Sequence, residues 1–188
     1  MNEDIQTISL TTLAFILIPV LITLIILWRW SLQTGNAIHA LLRMLVQLLI
    51  IGYLLTYLFE SDSAWVVLAV LLVMVLASSW IALGTVPQQR WQLYRHALLA
   101  IAGGGGLTFV LVILAVLHLE PWYRPQFSIP LAGMVFANSM TSVSLAAERL
   151  QSELRRGDDY ITARDTAMQA ALIPIINSLF AVGLVFLG

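Results

Sequence analysis

Cysteine is absent from the 188 residues, which excludes disulfides and thiolate metal sites. Lysine is absent too, and all nine basic residues are Arg, a matter of genome composition rather than mechanism. Charge of either sign is scarce. Asp, Glu, Lys and Arg make up 10% of the chain, too little to cover a water-soluble domain of this length. No G-x-x-x-x-G-K-[ST] sequence occurs, so no phosphate-cradling loop is present. The run Gly103 to Gly106 has no Lys after it and lies in an apolar stretch, where it suits close helix contact or a hinge. The strict alternation of a membrane β-barrel is missing as well.

What the chain has is hydrocarbon. Sixty per cent of its residues are hydrophobic, and a bilayer core of about 30 Å needs roughly 20 apolar residues per helix. Six segments qualify: Ile8 to Trp28, Ala37 to Phe59, Ala64 to Gly84, Ala97 to Leu117, Ile129 to Ala147 and Ala167 to Leu187. The sequence therefore predicts an all-α polytopic membrane protein with six transmembrane helices, forming one membrane domain over residues 1–188. The first segment follows Asn2-Glu3-Asp4 without a basic n-region and reads as a retained span, not a signal peptide.

The distribution of Arg sets the orientation. The first, third and fifth connections carry Arg29, Arg90, Arg95, Arg149, Arg155, Arg156 and Arg164, whereas the N-terminus and the second and fourth connections carry only Arg124. Cytoplasmic loops collect positive charge, so the N-terminus is expected outside. Trp28, Trp30, Trp91, Tyr94, Trp122 and Tyr123 fall at expected interfaces, where amphipathic rings are favoured. The fourth connection, HLEPWYRPQFSIP, holds three prolines and shows no helical pattern, and is expected to be an ordered outer loop.

Few residues inside the spans can carry chemistry. Arg43, with Gln47 one turn on, either snorkels to the cytoplasmic interface or forms a bundle-facing gating pair. His39, His96 and His118 lie near span ends and suit interfaces better than a metal triad. A hydrolase built on Ser139 would need a His or an acid at membrane depth, and none is evident. The stretch IPLAGMVFANSMTSVSLAAERL is the most polar of the spans. Its Gly133, Ala137, Thr141 and Ser144 make a small-residue face at helical spacing. Beside it run Met134, Asn138 and Ser142, with Ser139 and Met140 near. These groups either hydrogen-bond between helices or wall a substrate path. In the sixth segment Pro174 precedes Asn177 and Ser178, and a proline kink persists where protein or a wet cavity satisfies the freed carbonyl.

Between these two spans lies RLQSELRRGDDYITARD, residues 149 to 165, with eight of the nineteen charges. Glu148, Arg149, Glu153, Arg155 and Arg156 continue the fifth helix beyond the membrane. Gly157 is a helix stop, and Asp158 or Asp159 an N-cap for the next helix. The result is a cytoplasmic hairpin over about 148–166 that also includes Arg164 and Asp165. It is either a solvated turn or a docking surface.

The segments RMLVQLLIIGYLL (43 to 55), IPLAGMVFANSM (129 to 140) and AALIPIINSLFAVGLV (170 to 185) resemble the FetB/YbbM-type permeases of ATP-binding-cassette exporters, whose plant relatives are linked to aluminium tolerance. The resemblance implies a homodimeric permease of the bacterial inner membrane, without catalytic residues, partnered by a separate FetA-like cytoplasmic ATPase. It implies export of iron or another metal ion, with sugar nucleotides as an alternative cargo; the small polar residues by themselves also permit a partner-free channel or carrier, which the resemblance argues against. It also gives the hairpin the task of transmitting ATPase closure. ATP would be used by the partner, no cofactor is expected on this chain, and its surroundings are lipid rather than nucleic acid. The family pattern has a further Leu-Gly-Ala block after the charged run, and another membrane span after VGLV, which this sequence does not show.

Overall fold

Long runs of Leu, Ile and Val leave the backbone one way to satisfy its own hydrogen bonds in lipid. The computed structural model describes residues 15, 17–29, 34–59 and 63–185, which are overwhelmingly helical, with no strand among them. They fall into two units, Met1–Tyr57 and Leu58–Gly188. The first contributes α1 (Leu17–Arg29) and nearly all of α2 (Thr34–Phe59). Most described side chains of α1 and α2 are exposed, Arg43 and Gln47 included, and apolar side chains such as Leu21 and Leu49 suit contact with lipid.

The second unit begins with α3 (Ala64–Ala82), which tightens into a 3-10 turn at Leu83–Thr85. After a short turn at Pro87–Gln89 a nearly continuous helical rod follows, made of α4 (Arg90–Ala100), a π-helical stretch at Ile101–Gly105, α5 (Gly106–Leu111) and a second π-helical stretch at Val112–Val116. Two long helices complete it, α6 (Pro125–Arg156) and α7 (Tyr160–Val185). Among the described residues three helical stretches are long and apolar enough to cross a bilayer: Ala64–Thr85, Pro87–Val116 and Pro125–Arg156. In α2 the apolar core is the shorter Ile38–Tyr53, and the first and last of the six expected spans run into residues outside the described set. The protein is an all-α polytopic membrane protein.

The core of the second unit is an interdigitated set of Val67 and Leu71 from α3, Ile101, Phe109 and Ile113 from the rod, and Ala132 and Phe136 from α6. The Phe109 and Phe136 rings lie 6.2 Å apart. Outward side chains such as Trp65, Leu72, Leu99 and Leu107 stay more than half exposed, an apolar surface far larger than a soluble monomer shows. At one end Arg90 stacks 3.9 Å over the Trp80 ring and donates from Nε to the Trp80 carbonyl at 3.0 Å. That bond falls in the last turn of α3, where carbonyls commonly lack a partner inside the helix.

One expectation is corrected. The connection HLEPWYRPQFSIP is not a loop throughout, because α6 already starts at Pro125. Proline is well suited to the first helical turn, where its missing N–H removes no helix bond. Pro130 costs only one bond, near the start of a 32-residue helix. Ser128 fastens this entrance by donating to the Trp122 carbonyl at 2.6 Å, in a fully buried position.

Candidate functional site

At about 1.5 Å per residue, α6 is roughly 48 Å long, against a hydrocarbon core of about 30 Å. With its apolar run Ile129 to Ala147 in the bilayer, residues 148 to 156 carry the helix roughly 13 Å into water. Asn138 then falls at the middle of the membrane. A hydroxyl or amide there is costly unless hydrogen-bonded or wet.

The polar residues of α6 open onto a cleft of about 600 Å³. Asn138, Ser139, Thr141 and Ser142 form one wall, Gly104, Gly105 and Thr108 of the rod a second, and Pro174 and Ser178 of α7 a third. The rod comes close because Gly105 has no side chain. A Cβ there would lie 2.9 Å from Ser139 Oγ and 3.1 Å from the Phe136 ring. Four hydroxyls on this lining have already used their protons. Ser139 donates to the Val135 carbonyl at 2.9 Å, Thr141 to Ala137 at 2.9 Å, Thr108 to Gly104 at 2.8 Å and Ser178 to Pro174 at 2.8 Å. Among the described residues no titratable side chain lines the cleft, so none of them offers Ser139 a general base there.

Other candidates lie elsewhere. Met134 is 66% exposed on the outer side of α6, and Met140 lines a separate crevice of about 190 Å³ against Ile81 and Ala82 of α3. Asn177 is exposed and does not line the cleft, and Gly133 packs toward Met74. His39 and His118 are exposed. His96 lines an apolar groove of about 630 Å³ lying among the start of the rod, the far half of α6 and the start of α7. No group of three His, Cys, Asp or Glu side chains able to hold a metal occurs among the described residues.

The hairpin is ordered by its own caps. Gly157 adopts φ +98°, and its N–H donates to the Leu154 carbonyl at 3.2 Å while that of Asp158 reaches Glu153 at 3.3 Å. This is the left-handed stop that glycine permits without a Cβ penalty. Asp159 then caps α7. Its carboxylate accepts from the Thr162 hydroxyl at 2.6 Å and from the N–H groups of Thr162 and Ile161 at 3.3 and 3.1 Å. The bonds from Thr162, hydroxyl first, and then Ile161 hold the Asp159 carboxyl below the usual range. Glu153 is buried and lies 2.6 Å from Arg149 and 3.5 Å from Arg156. The Arg149 contact is Coulombic, since Glu153 Oε1 accepts no well-aligned hydrogen bond.

Arg155 reaches across to Gln88 Oε1 at 3.2 Å, tying the tip of α6 to the connection between α3 and α4. Arg164 pairs with the adjacent Asp165 at 2.7 Å, and this hydrogen bond and charge raise the Arg164 pKa. Glu148 and Asp158 remain exposed. Sequence reasoning found neither Thr108 nor Gln88. Thr108 had a usable signal, as a hydroxyl two residues beyond the Gly103 to Gly106 run; Gln88 had none.

Residues 10–188 match the model of a family described as Uncharacterised protein family (UPF0014). The chain is 30% identical over 175 residues to a UPF0014 membrane protein of Synechocystis sp., covering 85% of this chain and 68% of the relative. It is 32% identical over 164 residues to the Probable iron export permease protein FetB of Escherichia coli, covering 77% and 60%. It is 27% identical over 191 residues to Protein ALUMINUM SENSITIVE 3 of Arabidopsis thaliana, covering 91% and 67%. The chain thus spans about two thirds or less of the length of these relatives. No solved structure matches it.

Proposed function

The chain belongs to the UPF0014 family of membrane proteins, and from that premise we propose that it is the permease subunit of an ATP-driven exporter. Its cargo is iron or another metal ion, the class named for the FetB relative. A separate cytoplasmic ATPase of the ATP-binding-cassette type supplies the energy, two permease chains pair in the bacterial inner membrane, and ATP binds to the partner alone.

One observation carries this reading. The polar cleft and the capped hairpin are built on the same two helices, α6 and α7, which pack against one another along their lengths. A push on the corner at Gly157 therefore moves two of the three cleft walls together. Helices transmit such a push because packed cores rearrange as rigid bodies rather than deform. Glu148, Arg149, Arg155, Arg156, Asp158, Asp159, Arg164 and Asp165 form the surface on which the ATPase bears, with the buried Glu153 pairing Arg149 and Arg156 beneath it. Asn138, Ser139, Ser142, Pro174 and Ser178 face the cargo.

Metal efflux from cells carrying this chain, with the cognate ATPase intact or inactivated by substitution of its phosphate-loop Lys, tests the proposal. Loss of efflux in the inactivated strain supports it. Undiminished efflux makes the chain a stand-alone channel or carrier instead.

A further inference from the structure

We infer that the cleft takes its cargo as a hydrated cation, recognised through the water shell rather than by direct ligands. The inference rests on reading this cleft as the cargo path. Its first support is the direction of the hydrogen bonds. Thr108, Ser139, Thr141 and Ser178 each spend the hydroxyl proton on a carbonyl one turn back in their own helix. Toward the cleft they offer lone pairs only. Asn138 and Ser142 add an amide and a hydroxyl that can accept or donate. Four of the six polar side chains on the lining are thus acceptors only, which favours a solute whose exterior is made of donors.

The second support is what the lining omits. Among the described residues that line it there is no carboxylate, imidazole, thioether or guanidinium. First-row transition metals bind directly through imidazole, sulfur or carboxylate, so a bare ion would exchange its water for weak neutral oxygens at membrane depth, where charge is most costly. A nucleoside diphosphate sugar fits no better. Its phosphates need Arg, Lys or several open N–H donors, and here they would meet mostly lone pairs, with donors at Asn138 and Ser142. An ion that keeps its water avoids the ligand exchange, and its larger effective radius lowers the cost of its charge. Bound water donates hydrogen bonds outward, and the metal's charge makes those donors stronger. Space allows it: six waters at liquid volume fill roughly 180 Å³, within a cleft of about 600 Å³.

The absence of cysteine gives a direct test. Ser142→Cys and, separately, Ser178→Cys each place one thiol in the cleft, and Ser144→Cys places a control in the crevice against α3. The full-length variants in proteoliposomes are labelled with a small water-soluble thiol reagent. Hexaamminecobalt(III), whose donor shell does not exchange, serves as the probe, beside Mn²⁺ and a uridine diphosphate sugar. Hexaamminecobalt(III) and Mn²⁺ are expected to slow labelling of a cleft cysteine about fivefold at four times Kd, by simple occupancy, while the sugar nucleotide and the control position show no change. Protection by Mn²⁺ alone means direct ligation and overturns the inference. Protection by the sugar nucleotide overturns it too, as does equal protection at Ser144→Cys or a failure of both cleft positions to label. No ATPase is needed for this readout. ATP-driven metal efflux without protection by the inert complex removes only the hydrated form, and protection without ATP-driven efflux removes only the exporter.

Discussion

Gly105 is the position where one methyl group should be felt most. The π-helical stretch at Ile101–Gly105 brings the rod against α6 so closely that an added Cβ would stand 2.9 Å from Ser139 Oγ and 3.1 Å from the Phe136 ring. Neither neighbour yields freely, because Ser139 is bonded to the Val135 carbonyl and Phe136 is 3% exposed within the core. Overpacking of this kind costs about 1–3 kcal/mol. Replacing Gly with Ala in a helix also gains about 1 kcal/mol of propensity, which would blur a comparison with the parent protein. Gly103→Ala removes that ambiguity. It carries the same propensity gain, and nothing lies within 4 Å of its added carbon. Gly105→Ala should therefore melt below Gly103→Ala by about 1–3 kcal/mol, or roughly 2–12 °C for a chain of this size. Differential scanning fluorimetry of both variants in one detergent reads the gap. Adding Ser139→Ala to Gly105→Ala should recover part of it, since the shorter of the two contacts is gone. Equal melting of the two glycine variants would refute the close approach of rod and α6, and with it the shape of the cleft.

Three further outcomes concern the hairpin. Gly157→Ala forces a Cβ into φ +98°, at a cost of about 1–2 kcal/mol; Gly157→Asn should cost less, and thermal melts rank the two. Glu153→Ala leaves Arg149 and Arg156 facing each other without their buried carboxylate. Both arginines are partly solvated, so the loss should be about 1–2 kcal/mol rather than that of a fully buried pair, visible as a lower melting temperature that falls further at low salt. Asp159 holds a depressed pKa, so its stabilisation is complete above the ordinary Asp value of about 4 and is lost as pH falls through the folded value. Hydrogen-exchange protection at the start of α7, taken relative to the intrinsic rate at each pH, should fall in acid in the parent protein, and Asp159→Asn should flatten that dependence.

The hairpin was legible in the sequence because its causes are local. A glycine that tolerates a left-handed backbone and an aspartate three residues before Thr162 fix the corner without help from distant residues. The start of α6 was misread for a related reason: three prolines look like punctuation, yet Pro125 at the first turn favours a helix. The cleft was half legible. Polarity in an apolar background singled out Asn138, Ser139, Ser142 and Ser178. It did not say which side of α6 the rod and α7 would cover, and that depends on the contact at Gly105. Met134 and Asn138 share a stripe at a spacing of four, yet Met134 stays outside the cleft, because only the deeper part of the stripe is flanked by Thr108 and Ser178.

Metal-stimulated ATP hydrolysis decides between an energised exporter and a passive path. The chain is reconstituted with its cognate ATPase in proteoliposomes, and hydrolysis is followed as iron or manganese is added. The exporter reading expects no hydrolysis by the permease alone, metal-dependent hydrolysis by the pair, and loss of that stimulation when the Gly157 corner is disrupted. Metal flux through the permease alone, with a partner ATPase indifferent to metal, would contradict it.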